Sequence, residues 1–142
     1  SLQVEPLQVE PLQVEPLQAL FNSATSGQNA YKQLLKMGAL MPHQPAIRLD
    51  EYLIHGCESK TWLQHQSIHN QHVFAIDSDS RLVRGLGALL LIWFQDKPKE
   101  TILNFDWEKV CQEKGLNKYL SATKQQGLKA LLTRAQELAQ EP

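Results

Sequence analysis

Cysteine is scarce in this chain, with only Cys57 and Cys111 among 142 residues. Two cysteines cannot build the disulfide framework of a small secreted domain. A single bridge between them stays open, but the expectation is a reduced, cytoplasmic protein. A surplus of one charge is also missing. The 14 Lys and Arg residues against 15 Asp and Glu give a net charge of −1, so no basic stripe is available to neutralise phosphates. Nucleic acid is therefore not expected as a partner. The longest apolar run, LGALLLIWF at 86–94, falls far short of the about 20 residues that a membrane span requires. It reads as a buried core helix, with no membrane partner. The N-terminus lacks the basic-then-apolar order of a signal peptide. GLGALLL lacks the Lys-Ser/Thr pair of a phosphate loop, and DSDSRLVRG lacks the Gly and Glu at the spacing that a calcium loop requires.

What is present fits one soluble domain: 42% apolar and 20% charged residues over 142 positions. The chain starts with a perfect repeat, LQVEP at 2–6, 7–11 and 12–16, and a fourth copy breaks off at 17–18. Proline removes amide donors and disfavours helix in the residue before it. Residues 1–18 are thus expected to be an extended, mobile arm, read as a tandem expansion with a docking arm as the alternative. The domain proper is expected over 19–142.

Within that domain, Tyr31, Leu34 and Leu35 mark one face of a helix that Gly38 is expected to stop. TWLQHQSI and HVFAIDSD read as two strands of a hairpin turning around His69–Asn70–Gln71. DSDS at 77–80 offers N-caps for a helix from about Arg81 to Gln95. Gly85 and Gly87 are expected to bring that helix close to the sheet. Pro98, Asp106 and Ser121 mark three further helix starts. The order helix, hairpin, helices predicts an α+β fold, a small antiparallel β-sheet packed by helices.

One stretch carries unusual chemistry. LIHGCESKTW at 53–62 places Cys57 in a polar, loop-like setting, whereas structural cysteines sit among apolar neighbours. The thiolate is the reactive form of cysteine, and nearby positive charge favours it. His55 and Lys60 flank the position, and Gly56 frees the backbone. The local residues leave two readings open, a reactive thiol and an inert gap-filler. Cys111, on a helix beside Trp107 and Val110, reads as packing. His65, His69 and His72, with His55 and Cys57 upstream, invite a zinc reading. The turn between strands explains their polarity better, and no metal site is expected.

YKQLLKMGALMP, HGCESKTWL, DSDSRLVRGLGALLL, NFDW and LSATKQQGLKALLTRAQELA occur here in the order and spacing of one family. The chain resembles the SufE family, which includes CsdE, over about Asn22 to Gln140. The resemblance implies a fold shared with IscU-type scaffolds. It implies a sulfur acceptor whose cysteine, here Cys57, takes persulfide sulfur from a cysteine desulfurase of the SufS or CsdA type. The acceptor stimulates that desulfurase and passes sulfur to an iron–sulfur scaffold downstream. It acts as a persulfide-carrying partner rather than as a stand-alone enzyme. The pyridoxal phosphate belongs to the desulfurase, and no cofactor is expected on this chain.

The same resemblance makes His55, Gly56, Glu58, Ser59, Lys60 and Trp62 the expected environment of Cys57. It makes Asp77, Arg84 and Lys124 candidates for a partner-docking face. Lys124 stands where the family usually has arginine, keeping the charge but losing the planar fork. A cluster scaffold of the same fold and a non-catalytic binding module are the alternatives. Monomer and homodimer both remain open.

Overall fold

One hairpin sits in the middle of the chain order, and helices from both sides of it in sequence fold over the same face. This computed structural model describes residues 12–141. Strands β1 (Thr61–Ile68) and β2 (Gln71–Ser78) pair antiparallel, Thr61 opposite Ser78 and Ile68 opposite Gln71. The two-residue turn needs left-handed backbone at both central positions. His69 (φ 50°) and Asn70 (φ 64°) adopt it, and Asn is among the residues that tolerate it best. Side chains alternate between faces along a strand. Leu63, Phe74 and Ile76 thus enter the main core, while Trp62 and Ala75 pack with Ile47 on the other face. Two short 3-10 turns, Pro45–Ile47 and Asp50–Tyr52, bring the chain across that second face.

Helix α3 (Arg81–Phe94) is the buried axis of the molecule, its first turn capped by Ser80 Oγ accepting from the Val83 amide at 3.2 Å. Ala88, Leu89, Leu90 and Phe94 are all 0% exposed. Gly87 does face the sheet, since a Cβ there would meet the Ile76 side chain of β2. Gly85 does not. It faces α2 (Gly27–Leu40), where a Cβ would run into the Leu34 carbonyl. Gly38 matches it from α2, leaving room for the Arg81 carbonyl. Gly38 is therefore no helix stop: α2 runs past it to Leu40, and the glycine serves close backbone approach instead.

Helices α4 (Lys99–Asn104), α5 (Trp107–Glu113) and α6 (Ala122–Gln140) begin where Pro98, Asp106 and Ser121 mark them. α6 lays Leu128, Leu131, Leu132 and Ala135 on the core. The fold is α+β, helix-rich, with a two-stranded antiparallel sheet. Among the described residues no helix is long and apolar enough to cross a membrane.

The N-terminal boundary requires correction. Helix α1 spans Glu15–Asn22, so the extended arm expected over 1–18 gives way to helix inside the third repeat. Pro16 sits in the first turn, where its missing amide has no helical partner to lose. Leu17 and Phe21 are 1% and 2% exposed, and burying such side chains contributes roughly 2 kcal/mol each. Leu12 and Val14 also pack against the core. Tertiary burial overrides the local extended preference. The expectation for 1–11 lies outside the described residues.

Candidate functional site

The cysteine loop is an arc with its two ends tied together. The Ile54 amide donates to the Thr61 carbonyl at 2.8 Å, and Leu53 pairs with Trp62. Ile54 is buried and anchors the entry. At the exit, the Lys60 carbonyl accepts from Ser78 Oγ at 2.9 Å and from the Asp79 amide at 3.1 Å. Between these ties His55, Gly56, Glu58 and Lys60 are exposed, and Cys57 and Ser59 are half-buried. Gly56 turns the chain at φ 94°, and a Cβ there would stand 3.3 Å from Ala130 Cβ of α6. Both the positive φ and this closeness disfavour any larger residue.

The arc leans on the N-terminal half of α6. Cys57 Sγ donates to the Gly127 carbonyl at 3.7 Å, and Lys124 Nζ lies 4.0 Å from Glu58 Oε2. Burial pushes the Cys57 thiol above its ordinary value, against the opposing pull of the Thr61 hydroxyl and the Lys124 ammonium. The resting thiol is thus protonated at neutral pH, with its proton directed at a helix carbonyl. The expected activating cations, His55 and Lys60, are not the ones acting on the sulfur; Lys124, remote in sequence, is. A groove of about 550 Å³ runs beside the arc, between its entry at Leu53–Gly56 and the α6 side chains Lys129, Thr133 and Arg134.

Cys111 is different in kind. It is 7% exposed, and burial, with Glu108 nearby, raises its thiol to about 11. Such a thiol is inert at neutral pH. Among the described residues no group of three or more His, Cys, Asp or Glu side chains is placed to hold a metal ion. His65 and His72 meet as a stacked pair, Nε2 to Nδ1 2.7 Å, rather than converging with Cys57.

The SufE family profile, an Fe–S metabolism associated domain, matches residues 15–139. The chain belongs to the SufE family. Its domain therefore starts with α1, in agreement with the buried Leu17. In fold it is similar to the solution structure of a hypothetical protein from Thermus thermophilus. The TM-score is 0.67 at 19% identity, over 89% of this chain and 92% of that one.

In this SufE-family chain the two blocks that carried the resemblance meet through the hairpin. Thr61 pairs with Ser78 and Trp62 with Asp77, so the DSDS block forms the floor under the exit of the cysteine loop. Three expected roles change as a result. Trp62 does not surround the thiol; it lies in the second cluster with Ile47 and Ala75, under the Arg48 guanidinium (4.5 Å to the ring centroid). Asp77, a docking candidate, is 0% exposed. Its carboxylate accepts from Arg48 Nε (2.8 Å), the Gln44 amide (3.0 Å), the Ser78 amide (2.9 Å) and His43 Nδ1 (3.2 Å). An interior ion with four donors organises the fold and cannot be part of an exposed face. Arg84, the other candidate, donates to the Ser78 and Gly38 carbonyls at 3.0 and 3.3 Å, tying α3 to β2 and α2. Lys124 remains near the loop, with its side chain 23% exposed. Sequence reading missed Thr61 and Gly127. Thr61 is inside the motif yet looks like a strand residue, and Gly127 is 70 positions from Cys57.

Proposed function

We infer that this chain is a sulfur acceptor: Cys57 takes the terminal sulfur of a persulfide held by a pyridoxal-phosphate-dependent cysteine desulfurase and carries it toward iron–sulfur assembly. The observation that carries this reading is the arc itself, a half-buried thiol on a loop with pinned ends and an exposed rim, in a SufE-family domain. Pinned ends let the tip change position without disturbing the sheet, and the thiol contact that holds it is one long hydrogen bond.

The chemistry balances without an external oxidant. Cys57 loses its proton to solvent, and its thiolate attacks the terminal sulfur of the partner's persulfide. The S–S bond in the partner breaks as the new S–S bond at Cys57 forms, and the partner's cysteine leaves as a thiolate. Thiolate character, access and a good leaving group govern the rate. The arc provides access, and leaving Gly127 for a wetter, more positive site would provide thiolate character. A cluster scaffold would need about three converging ligands, and Cys111 is buried on a separate helix.

The test is intact-protein mass spectrometry after incubation with a SufS- or CsdA-type desulfurase and cysteine. The native chain and Cys111→Ser are expected to gain reducible sulfur, and Cys57→Ser is not. Sulfur on Cys57→Ser, or none on the native chain, would overturn the reading in favour of a binding module.

A further inference from the structure

Two full copies of the LQVEP repeat, residues 2–6 and 7–11, lie outside the described residues, and the sulfur chemistry at Cys57 makes no use of them. The third copy shows how such a unit meets this domain. Leu12 and Val14 pack against the main core, whereas Gln13 and Glu15 are exposed. The unit thus lays its Leu and Val on an apolar surface and leaves its Glu at the rim. The first two copies repeat those residues, and 2–11 carry Glu5 and Glu10 with no Lys or Arg.

The groove beside the cysteine arc has the complementary lining. Its floor is apolar, the buried Ile54 with the half-buried Leu53 and Ala130. Its rim is cationic. Arg134 is paired with Glu137 at 3.1 Å, but the exposed Lys129 forms no ion pair among the described residues. Along α6 the groove runs from Gln126 to Glu137, about 17 Å at the α-helical rise. One LQVEP copy in polyproline-like extension spans roughly 16 Å. Its proline denies the segment a regular strand ladder. A groove lined by side chains, with Gln126 and Thr133 as donors to its carbonyls, does not require one. The chain also enters from a suitable end. α1 and α2 pack on each other across the short link 23–26, so α1 starts toward the C-terminal end of α2. There Gly38 lies against the Arg81 carbonyl at the start of α3, just after Ser78 and Asp79, which hold the arc exit at Lys60. Ten extended residues reach up to about 33 Å, enough to cross a domain of this length, whose radius of gyration is about 14 Å.

We propose that residues 2–6 dock in this groove, with 7–11 as the tether, and form a displaceable cover over the entry side of the cysteine arc. Leu2 and Val4 rest on Leu53, Ile54 and Ala130, and Glu5 pairs with Lys129. With the cover in place, reagents reach Cys57 less often. A desulfurase that engages the arc has to displace it, so the arm acts as a brake on sulfur uptake. The proposal deepens the acceptor reading by adding regulation of the same thiol, and it rests on that reading for its biological use.

The experiment needs no desulfurase. A carbodiimide joins a carboxylate to an adjacent amine with loss of water, and peptide-resolved mass spectrometry locates the link. On the full chain a Glu5–Lys129 amide is expected, formed within one chain when isotope-labelled and unlabelled protein are mixed. Deleting residues 2–11 keeps Leu12 and all of α1. The deletion is expected to speed iodoacetamide alkylation of Cys57 at fixed pH about fivefold, equivalent to a cover in place on about four molecules in five. Cys111, scored in the same spectra, is expected to keep its rate. Lys129→Glu is expected to speed Cys57 alkylation similarly, and Glu5→Lys in that background to restore the native rate. High salt should bring the native rate toward that of the deletion, because it screens the charge pair. The absence of the link, or an unchanged rate on deletion, overturns the proposal. Links only between chains overturn it in favour of arm exchange between copies. A native chain that takes no sulfur from a desulfurase, with the link and the deletion effect intact, would sink the acceptor reading alone.

Discussion

Glu58 and Lys124 face each other across the gap between the cysteine arc and the first turns of α6, Oε2 to Nζ 4.0 Å. The pair joins the two sequence features that flank Cys57 in space, one beside it in the chain and one in the last helix. Its side chains are 66% and 23% exposed, and such surface pairs contribute under about 1 kcal/mol to stability. Its importance is electrostatic, since Lys124 opposes the burial that raises the Cys57 thiol.

Lys124→Gln is accordingly expected to raise the midpoint of Cys57 alkylation further, most at low salt, where screening is least. The melting temperature should move by only a few degrees. A lowered or salt-independent midpoint would show that Lys124 does not act on the sulfur.

Asp77 predicts a much larger cost. Burial alone would raise its carboxyl, but hydrogen bonds from Arg48, the Gln44 amide and the Ser78 amide outweigh this and hold it below its ordinary value of 3.8. A carboxyl depressed in the folded state stabilises above that value, and the contribution is lost as pH falls below it. Asp77→Asn removes the buried carboxylate that four donors share and leaves the partly exposed Arg48 with Asp79 alone, so urea denaturation is expected to show a loss of about 2 kcal/mol. Because Asp77 is paired with Trp62 at the loop exit, Cys57 alkylation at a fixed pH should also quicken as the arc loosens.

His65 and His72 set a second pH dependence. Burial lowers His65 from 6.5 to about 4, with His72 and Arg134 adding like charge. His72 is lowered by burial and by Lys99, against an opposing pull from Glu100. A histidine depressed in the folded state stabilises above its unfolded value, and this contribution is lost as pH falls from about 6.5 toward 4. Stability should therefore decline through that window, beginning above the range in which ordinary carboxylates titrate. His65→Gln is expected to flatten the decline; an unchanged slope in chemical denaturation between those pH values would refute the assignment.

Much of the architecture was legible because its signals are local. Asp106 and Ser121 accept from amides three residues ahead, and His69–Asn70 turns a two-residue hairpin. These depend on neighbours within one turn of chain. α1 was not legible, since three prolines in a repeat argue for extension and only the burial of Leu17 and Phe21 against distant helices reverses that. Gly38 was misread for a related reason: a glycine that ends a helix and one that admits another backbone look alike until the second helix is in place.

The site divides along the same line. The amino-acid sequence alone determined that Cys57 lies in a polar glycine-bearing stretch, apart from the buried helical Cys111, and its motif order matched one family. Only the tertiary structure decided what the thiol touches. The Gly127 carbonyl meets it, and Lys124 of the same helix opposes its burial, because α6 packs over one end of the hairpin, and β-pairing carries Asp77 inward beneath Arg48. Charge and burial act through distances in space, and a linear chain does not hold those distances until its apolar faces have closed on one core.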